Sequence, residues 1–366
     1  MINENKPLYI QIKEYILQRI KDGTYKPEEV IPTERALCSE LDVSRQTVRR
    51  AIQDLVYEGY LYRVQGAGTY VFDKKLNESK KSNNIGVILN RTADELESKL
   101  LSGIESYIEK HGYTLTFMNS NEDYRKEAEN IQKLKNNGVA GIIIMPSENQ
   151  QDSSAISDLK DENYPFVLVD RKIKNCETDA VVSDNIDGAF QATKHLIDLG
   201  HQKIVFIKNR YTITSSIQDR ITGYKKALKE YGFEDDEILF LSYNENEKND
   251  DQIYDEIYEY ITKNKITGIV ALNDYIGLLI VKMARKKNLK IPKDFSIVGF
   301  DNNEVVKHIE VPLTTIAQFP EKIGYHAAEL LIQKINNKNS NDLSSRMVHQ
   351  IYYPTKLIIR SSTQNI

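Results

Sequence analysis

Apolar residues fall at helical spacing through the first sixty positions, and beyond residue 85 they gather into short runs separated by amphipathic stretches. Leu8, Ile12, Tyr15, Ile16 and Ile20 form one stripe of a helix expected over 8–22. A short helix should open behind Thr33 and run through Leu37 to about Leu41, with Asp42 and Val43 as the turn to a third helix. The Ser44 hydroxyl can cap that third helix, whose apolar face is Val48, Ala51, Ile52, Leu55 and Val56. Arg45, Gln46, Arg49, Arg50 and Gln53 are left on its other face. Gly59 is a natural stop, and strands over 60–64 and 69–72 flank a tight turn at 65–68. The order helix, helix, turn, helix, hairpin predicts a winged helix-turn-helix.

In the second part, apolar runs at 85–89, 114–118, 141–145, 166–169, 180–182, 204–207, 238–241, 268–272 and 296–299 predict strands, with helices expected over 95–111 and 125–136. Such alternation implies parallel sheets covered by helices. Residues 131–146 and 257–274 repeat one order of helix, polar break, Gly, apolar strand and loop, which predicts two similar α/β lobes rather than one large sheet. The expected architecture is therefore α/β, with a reader at 1–72, a polar linker at 73–84 and a two-lobed, periplasmic-binding-protein-like unit at 85–366. Parallel sheets bind ligands beyond the carboxyl ends of their strands, so the lobes should enclose a cleft there.

Composition narrows the function classes. A chain of 366 residues that is 40% hydrophobic, with a net charge of −4 and no long apolar run, describes a water-soluble protein without a membrane span. Its N-terminus lacks a secretory pattern, so the expected location is the cytoplasm. Cys38 and Cys176 show no metal-ligand spacing and read as reduced thiols. Residues 1–72 carry ten Lys and Arg against ten acids, so affinity for DNA must come from local placement of charge.

Candidate chemistry follows from these positions. Arginines at the start of a reading helix can grip phosphate or guanine edges, and Gln46 can read a base edge. The loops after successive strands carry Asn90 and Arg91, Asn119 to Asn121, Ser147 and Glu148, Asp170 and Arg171, then Asn273 and Asp274, and Asp301 and Asn302. Carboxylates accept from vicinal hydroxyls and Arg or Asn donate to them, which suits a small polyhydroxylated ligand. With no Trp, Tyr211, Tyr275 or Phe319 would have to supply an aromatic face. The six histidines make no H-E-x-x-H pattern, and there is no P-loop or G-x-S-x-G elbow, so neither catalysis, a metal nor a cofactor is expected.

Ile31-Pro-Thr-Glu-Arg35, Val43-Ser-Arg-Gln-Thr-Val-Arg49 and Gln65-Gly-Ala-Gly-Thr-Tyr-Val71 resemble the signature of GntR-family DNA-binding domains. The resemblance implies DNA contacts at Arg35, Ser44, Arg45, Gln46, Thr47 and Arg49, with Gln65 and Gly66 at the wing tip. Ala67 stands where many relatives carry Arg. Further on, His195-Leu-Ile-Asp-Leu-Gly-His201, Asp219-Arg-Ile-Thr-Gly-Tyr224, Ala271-Leu-Asn-Asp274, Ile291-Pro-Lys-Asp-Phe-Ser-Ile-Val-Gly-Phe-Asp301 and Pro312-Leu-Thr-Thr-Ile-Ala-Gln318 are similar to the LacI/GalR regulatory core. That likeness implies effector contacts at Asp170, Arg220, Asn273, Asp301 and Gln318, to which the strand-end loops add Arg91 and Arg171.

Together the two resemblances imply a non-enzymatic, homodimeric repressor of sugar uptake and catabolism, bound to double-stranded operator DNA and released by a small effector. L-Arabinose is the first candidate, with another sugar, a sugar phosphate or a nucleoside as alternatives. The hinge helix of ordinary LacI relatives is missing. A transporter's solute-binding protein is the rival class, but it should be secreted and have no reader.

Overall fold

The computed structural model describes residues 7–64, 67–72, 82–91, 95–147, 154–174, 176–210, 213–234, 236–241, 250–337 and 347–366. Gln65, Gly66, Glu148, Tyr211 and most of the expected linker lie outside them. The chain divides into two compact units, Met1–Asn83 with Lys133–Val139, and Asn84–Gln132 with Ala140–Ile366.

In the N-terminal unit, α1 (Leu8–Lys21), α2 (Glu34–Leu41) and α3 (Arg45–Tyr57) precede a hairpin of β1 (Leu61–Val64) and β2 (Gly68–Val71). Both expected caps form: Thr33 accepts from the Ala36 N–H and Ser44 from the Thr47 N–H. Asp42 adopts a left-handed conformation between α2 and α3, which turns the chain sharply enough to set one helix across the other. Ile12, Ile16, Leu37, Val48, Ala51, Ile52, Leu55, Leu61 and Val71 make the core. Leu8, expected on the buried stripe, is instead exposed at the first position of α1. A third edge, not foreseen, flanks the hairpin: Val30 bridges Tyr70, and the Ile31 N–H donates to the Thr69 carbonyl at 2.8 Å.

The larger unit holds two sheets of six strands among the described residues. The first contains β3 (Asn84–Leu89), β4 (Thr114–Asn119), β5 (Gly141–Ile144), β6 (Phe166–Val169), β7 (Ala180–Ser183) and β13 (Gln350–Tyr353), in the order β13-β7-β6-β5-β3-β4 and parallel throughout. The second contains β8 (Ile204–Asn209), β9 (Ile238–Leu241), β10 (Gly268–Ala271), β11 (Ser296–Asp301), β12 (Thr314–Ala317) and β14 (Lys356–Ile358), in the order β14-β12-β11-β10-β8-β9. Only β14 runs antiparallel, against β12. The internal echo seen in the sequence lands on β5 and β10, which hold the same place in their two sheets.

Central strands such as β5, β6 and β10 are buried on both faces, as parallel strands between helical layers must be. The first lobe packs α4 (Glu95–Lys110) against α11 (Pro320–Asn337), and α5 (Tyr124–Asn136) and α6 (Ser154–Asp161) connect its strands. The second packs α7 (Asn185–Asp198) against α8 (Ser215–Glu230), with α9 (Asp250–Asn264) and α10 (Asp274–Lys286) beyond. The chain crosses between lobes after β7, after β12 and between β13 and β14.

Both helix pairs touch backbone to backbone at glycine. A Cβ at Gly103 would lie 1.9 Å from the Glu321 carbonyl oxygen, and one at Gly223 would lie 2.1 Å from that of Ile186. Gly223→Ala should therefore push α8 off α7 and lower stability by about 1–3 kcal/mol, measured as a fall in urea midpoint; an unchanged midpoint would show that the helices can separate freely.

Candidate functional site

Two sites emerge, one in each unit. On the reader, Arg35, Ser44, Arg45, Gln46 and Arg49 are exposed, while Thr47 is half-buried. The Ser44 and Thr47 hydroxyls lie 2.7 Å apart, so both are engaged at the helix start. Glu34, named in the sequence only as part of a motif, organises this surface. Arg45 Nε donates to its Oε2 at 3.2 Å, and Arg49 Nε and Arg63 Nη2 donate to its Oε1 at 3.4 Å. Partial burial opposes ionisation of Glu34, but the hydrogen bonds from Arg45 and Arg49 outweigh it and hold its carboxyl below the usual range. Arg50 points elsewhere: its guanidinium stacks 4.0 Å over the Tyr9 ring, tying α3 to α1.

The second site lies between the two sheets, at the carboxyl ends of their strands. Arg91, Asp170 and Arg171 come from the first lobe and Arg220, Asn273 and Asp301 from the second; all line one cavity of about 150 Å³. At roughly 10–15 Å³ for each water-sized centre, it has room for on the order of ten. Arg220, on α8, is buried and held on every side. Its Nε donates to Asn185 Oδ1 and its Nη1 to the Leu272 carbonyl, both at 2.9 Å. Nη2 reaches Asp301 Oδ1 at 3.4 Å, and the Phe300 ring lies 3.7 Å beneath the guanidinium carbon. A guanidinium carries more donors than these, so capacity is left for a ligand.

Gln318 is behind the cavity, not on its wall. Its Nε2 donates to Asp301 Oδ1 at 2.7 Å and its Oε1 accepts from the Ser183 hydroxyl at 2.5 Å. Asn273 lines the cavity but also caps α10, accepting from the Ile276 N–H at 3.0 Å. Asp274 turns inward and is buried between the Thr315 hydroxyl and the Asn303 N–H. Asp170, Asp301 and Asn302 all have positive φ (62°, 113° and 57°), a strained conformation that tends to gather at ligand sites.

Across the cavity, Arg171 grips Glu122 through two bonds of 2.9 and 3.0 Å and donates to the Pro146 carbonyl at 3.1 Å. Asn185, Glu97, Glu122, Asn209, Thr214 and Ser216 complete the surroundings without having been singled out in the sequence. The expected aromatic face differs: the apolar wall is Leu96, Met145, Ile217 and Leu272, and neither Tyr275 nor Phe319 lines this cavity. Among the described residues no cluster suited to a metal ion occurs.

Residues 8–71 match the model of the gntR family of bacterial regulatory proteins, and residues 193–363 match that of the periplasmic binding protein-like domain. The chain is 31% identical to the arabinose metabolism transcriptional repressor of Geobacillus stearothermophilus, over 100% of both chains. The chain belongs to the family of the arabinose metabolism transcriptional repressors. A repressor of the same description from Halalkalibacterium halodurans is 29% identical over 97% of this chain and 96% of its own. A LacI family transcriptional regulator from Enterococcus faecalis, solved with bound ribose, is 28% identical with a TM-score of 0.64, covering 77% of this chain and 99% of its own. Relatives of both kinds are transcriptional regulators, and no described helix is long and apolar enough to cross a membrane.

In the first lobe, buried Glu127 accepts from the Ser147 N–H at 2.7 Å and from its hydroxyl at 3.0 Å. Burial pushes its carboxyl up to about 6, against the downward pull of those two bonds. Between its ordinary value of 4.5 and about 6, the folded chain holds a proton that the unfolded chain has released. Its contribution to stability should therefore fall as pH rises through that window, by on the order of 2 kcal/mol, and level off above it. Asp274, likewise pushed up to about 6 by burial, titrates over the same window, so Glu127→Gln should lessen the slope of this segment of the urea-stability profile without abolishing it; an unaltered slope would assign the titration to other groups.

Proposed function

We propose that this protein is a cytoplasmic, non-enzymatic, homodimeric repressor whose core binds a neutral sugar, with L-arabinose the first candidate, and thereby releases operator DNA. The observation that carries the reading is Arg220. It is a buried guanidinium held by Asn185, Leu272 and Asp301 at the wall of an interlobe cavity, on the same chain as a capped, arginine-bearing reader helix. Full-length likeness to arabinose metabolism repressors and a ribose-bound structural relative support the same conclusion.

The charge around the cavity favours a neutral ligand over a phosphorylated one. Arg91, Arg171 and Arg220 are opposed by Glu97, Glu122, Asp170 and Asp301. The guanidinium of Arg171 is already matched to Glu122. An anion would have to break such a pair and meet a net negative wall, whereas hydroxyls can accept from Arg and donate to carboxylate together.

The coupling is an equilibrium between two arrangements of the lobes, and effector shifts it only by binding one better than the other. A preference of about 100-fold corresponds to near 2.7 kcal/mol, within the usual range for allosteric control. Arg35, Arg45, Gln46 and Arg49 would meet DNA, with Ser44 and Thr47 setting the helix start and Gln65 and Gly66 at the wing. Arg91, Asp170, Arg171, Arg220, Asn273 and Asp301 would meet the sugar, and Gln318 would hold Asp301 in place.

Arg49→Ala should weaken operator binding at least tenfold, or about 1.4 kcal/mol, without altering sugar affinity. Asp301→Ala should retain operator binding and lose release by sugar; mobility-shift titrations with and without L-arabinose read both, and reversal of the two phenotypes would refute the assignment. In a thermal-shift comparison, L-arabinose should raise the melting temperature, whereas its phosphate should give a smaller rise or none. A larger rise with the phosphate would overturn the neutral-ligand reading.

A further inference from the structure

A second hollow adjoins the candidate sugar cavity, larger at about 640 Å³ against about 150 Å³. Its walls come from the loop after β6 in one lobe and the start of α8 in the other. Thr214 lines both spaces, and its side chain is turned to cap α8 through the Ile217 N–H. Ile213 and Gln218 are exposed at the rim, and Ile173 is buried in the wall.

The chemistry of this hollow suits a second polyhydroxylated ring. Lys172 and Lys174 are balanced by Glu177 and Asp219, so there is no net attraction for an anion. Hydroxyl and amide groups on Ser215 and Gln218 can exchange hydrogen bonds with a sugar edge. Ile173 and Ile213 offer the apolar surface on which a ring's C–H face can lie, which the inner cavity provides only sparingly. The wall also joins the lobes: the Lys172 N–H donates to the Ser215 hydroxyl at 2.7 Å, and Lys172 Nζ lies 3.9 Å from Asp219. A ligand spanning both spaces would therefore touch contacts that join the lobes.

We propose that the outer hollow is a second sugar subsite, continuous with the inner cavity past Thr214, so that the chain accepts short oligosaccharides with their terminal ring in the inner cavity. The proposal rests on the sugar reading above and extends it from one ring to two. Covering roughly 60 Å² of sugar carbon surface corresponds to about a tenfold gain in affinity.

The test is calorimetric titration of the full chain with L-arabinose and with an arabinose disaccharide. The wild type should bind the disaccharide about tenfold more tightly. Ile213→Ser and Gln218→Ala, both exposed substitutions, should each remove part of that gain and together most of it, leaving affinity for the single sugar unchanged. Equal or weaker binding of the disaccharide by the wild type overturns the subsite, as does a gain that survives in the double variant. If neither sugar binds, the single-ring reading falls and takes the subsite with it; single-sugar binding without a gain removes the subsite alone.

Discussion

A buried guanidinium cannot stand alone in a protein interior, and the arrangement that satisfies Arg220 organises the core. Its charge is shared with Asp301, and Asp301 in turn accepts from Gln318, whose amide oxygen accepts from Ser183. Ser183 and Gln318 sit at two of the three places where the chain passes between lobes. At the first of these the Asp184 N–H also donates to the Tyr353 carbonyl, which lies at the third. The group on the cavity wall is thus linked to the crossover segments through one long contact of 3.4 Å to Asp301 and shorter hydrogen bonds beyond it, in a buried setting where leaving a charge unpaired is expensive. Any ligand that redistributes the bonds of Arg220 or Asp301 acts on bonds that lead to the segments joining the lobes.

A comparable principle governs the reader on a smaller scale. Its charge balance is zero, so attraction to a polyanion depends on where the arginines are held. Glu34 gathers Arg45, Arg49 and Arg63 on one face, while Tyr9 takes Arg50 out of that group. The carboxylate keeps like charges close together before any phosphate arrives, which reduces the ordering required on binding. A backbone edge at 28–31 adds to the wing and fixes how the hairpin leaves the helices.

Legibility in the sequence followed signal strength. Helices α1 to α3 and their caps were readable because an amphipathic stripe and a Ser or Thr cap are local properties. The central strands were equally plain, since burial on both faces leaves an unbroken apolar run. Strands β12, β13 and β14 were not foreseen: β12 is buried but its Thr-Thr-Ile-Ala sequence is not an unbroken apolar run, whereas β13 and β14 sit at sheet edges and β13 is largely exposed. Of the aromatic candidates, Tyr211 lies outside the described residues and Tyr275 does not line the cavity, while Phe319 lines a neighbouring one beside Asp301 and Gln318; a position after a strand end does not by itself say which space a side chain enters.

Order along the chain was enough to determine that there is a helical reader, a parallel α/β core with an internal duplication, and a set of polar strand-end loops, because each depends on spacing of 3.6 or two residues or on one residue beside the next. Only the folded chain decided which of those polar residues share a cavity, that Gln318 supports Asp301 from behind, that Asn273 doubles as a cap and that Glu34 gathers three arginines. Apart from the Asn273 cap, which reaches only three residues on, those are contacts between residues 11 to 81 positions apart, and the chain's crossing back and forth between lobes brings the core contacts together; no local pattern encodes them.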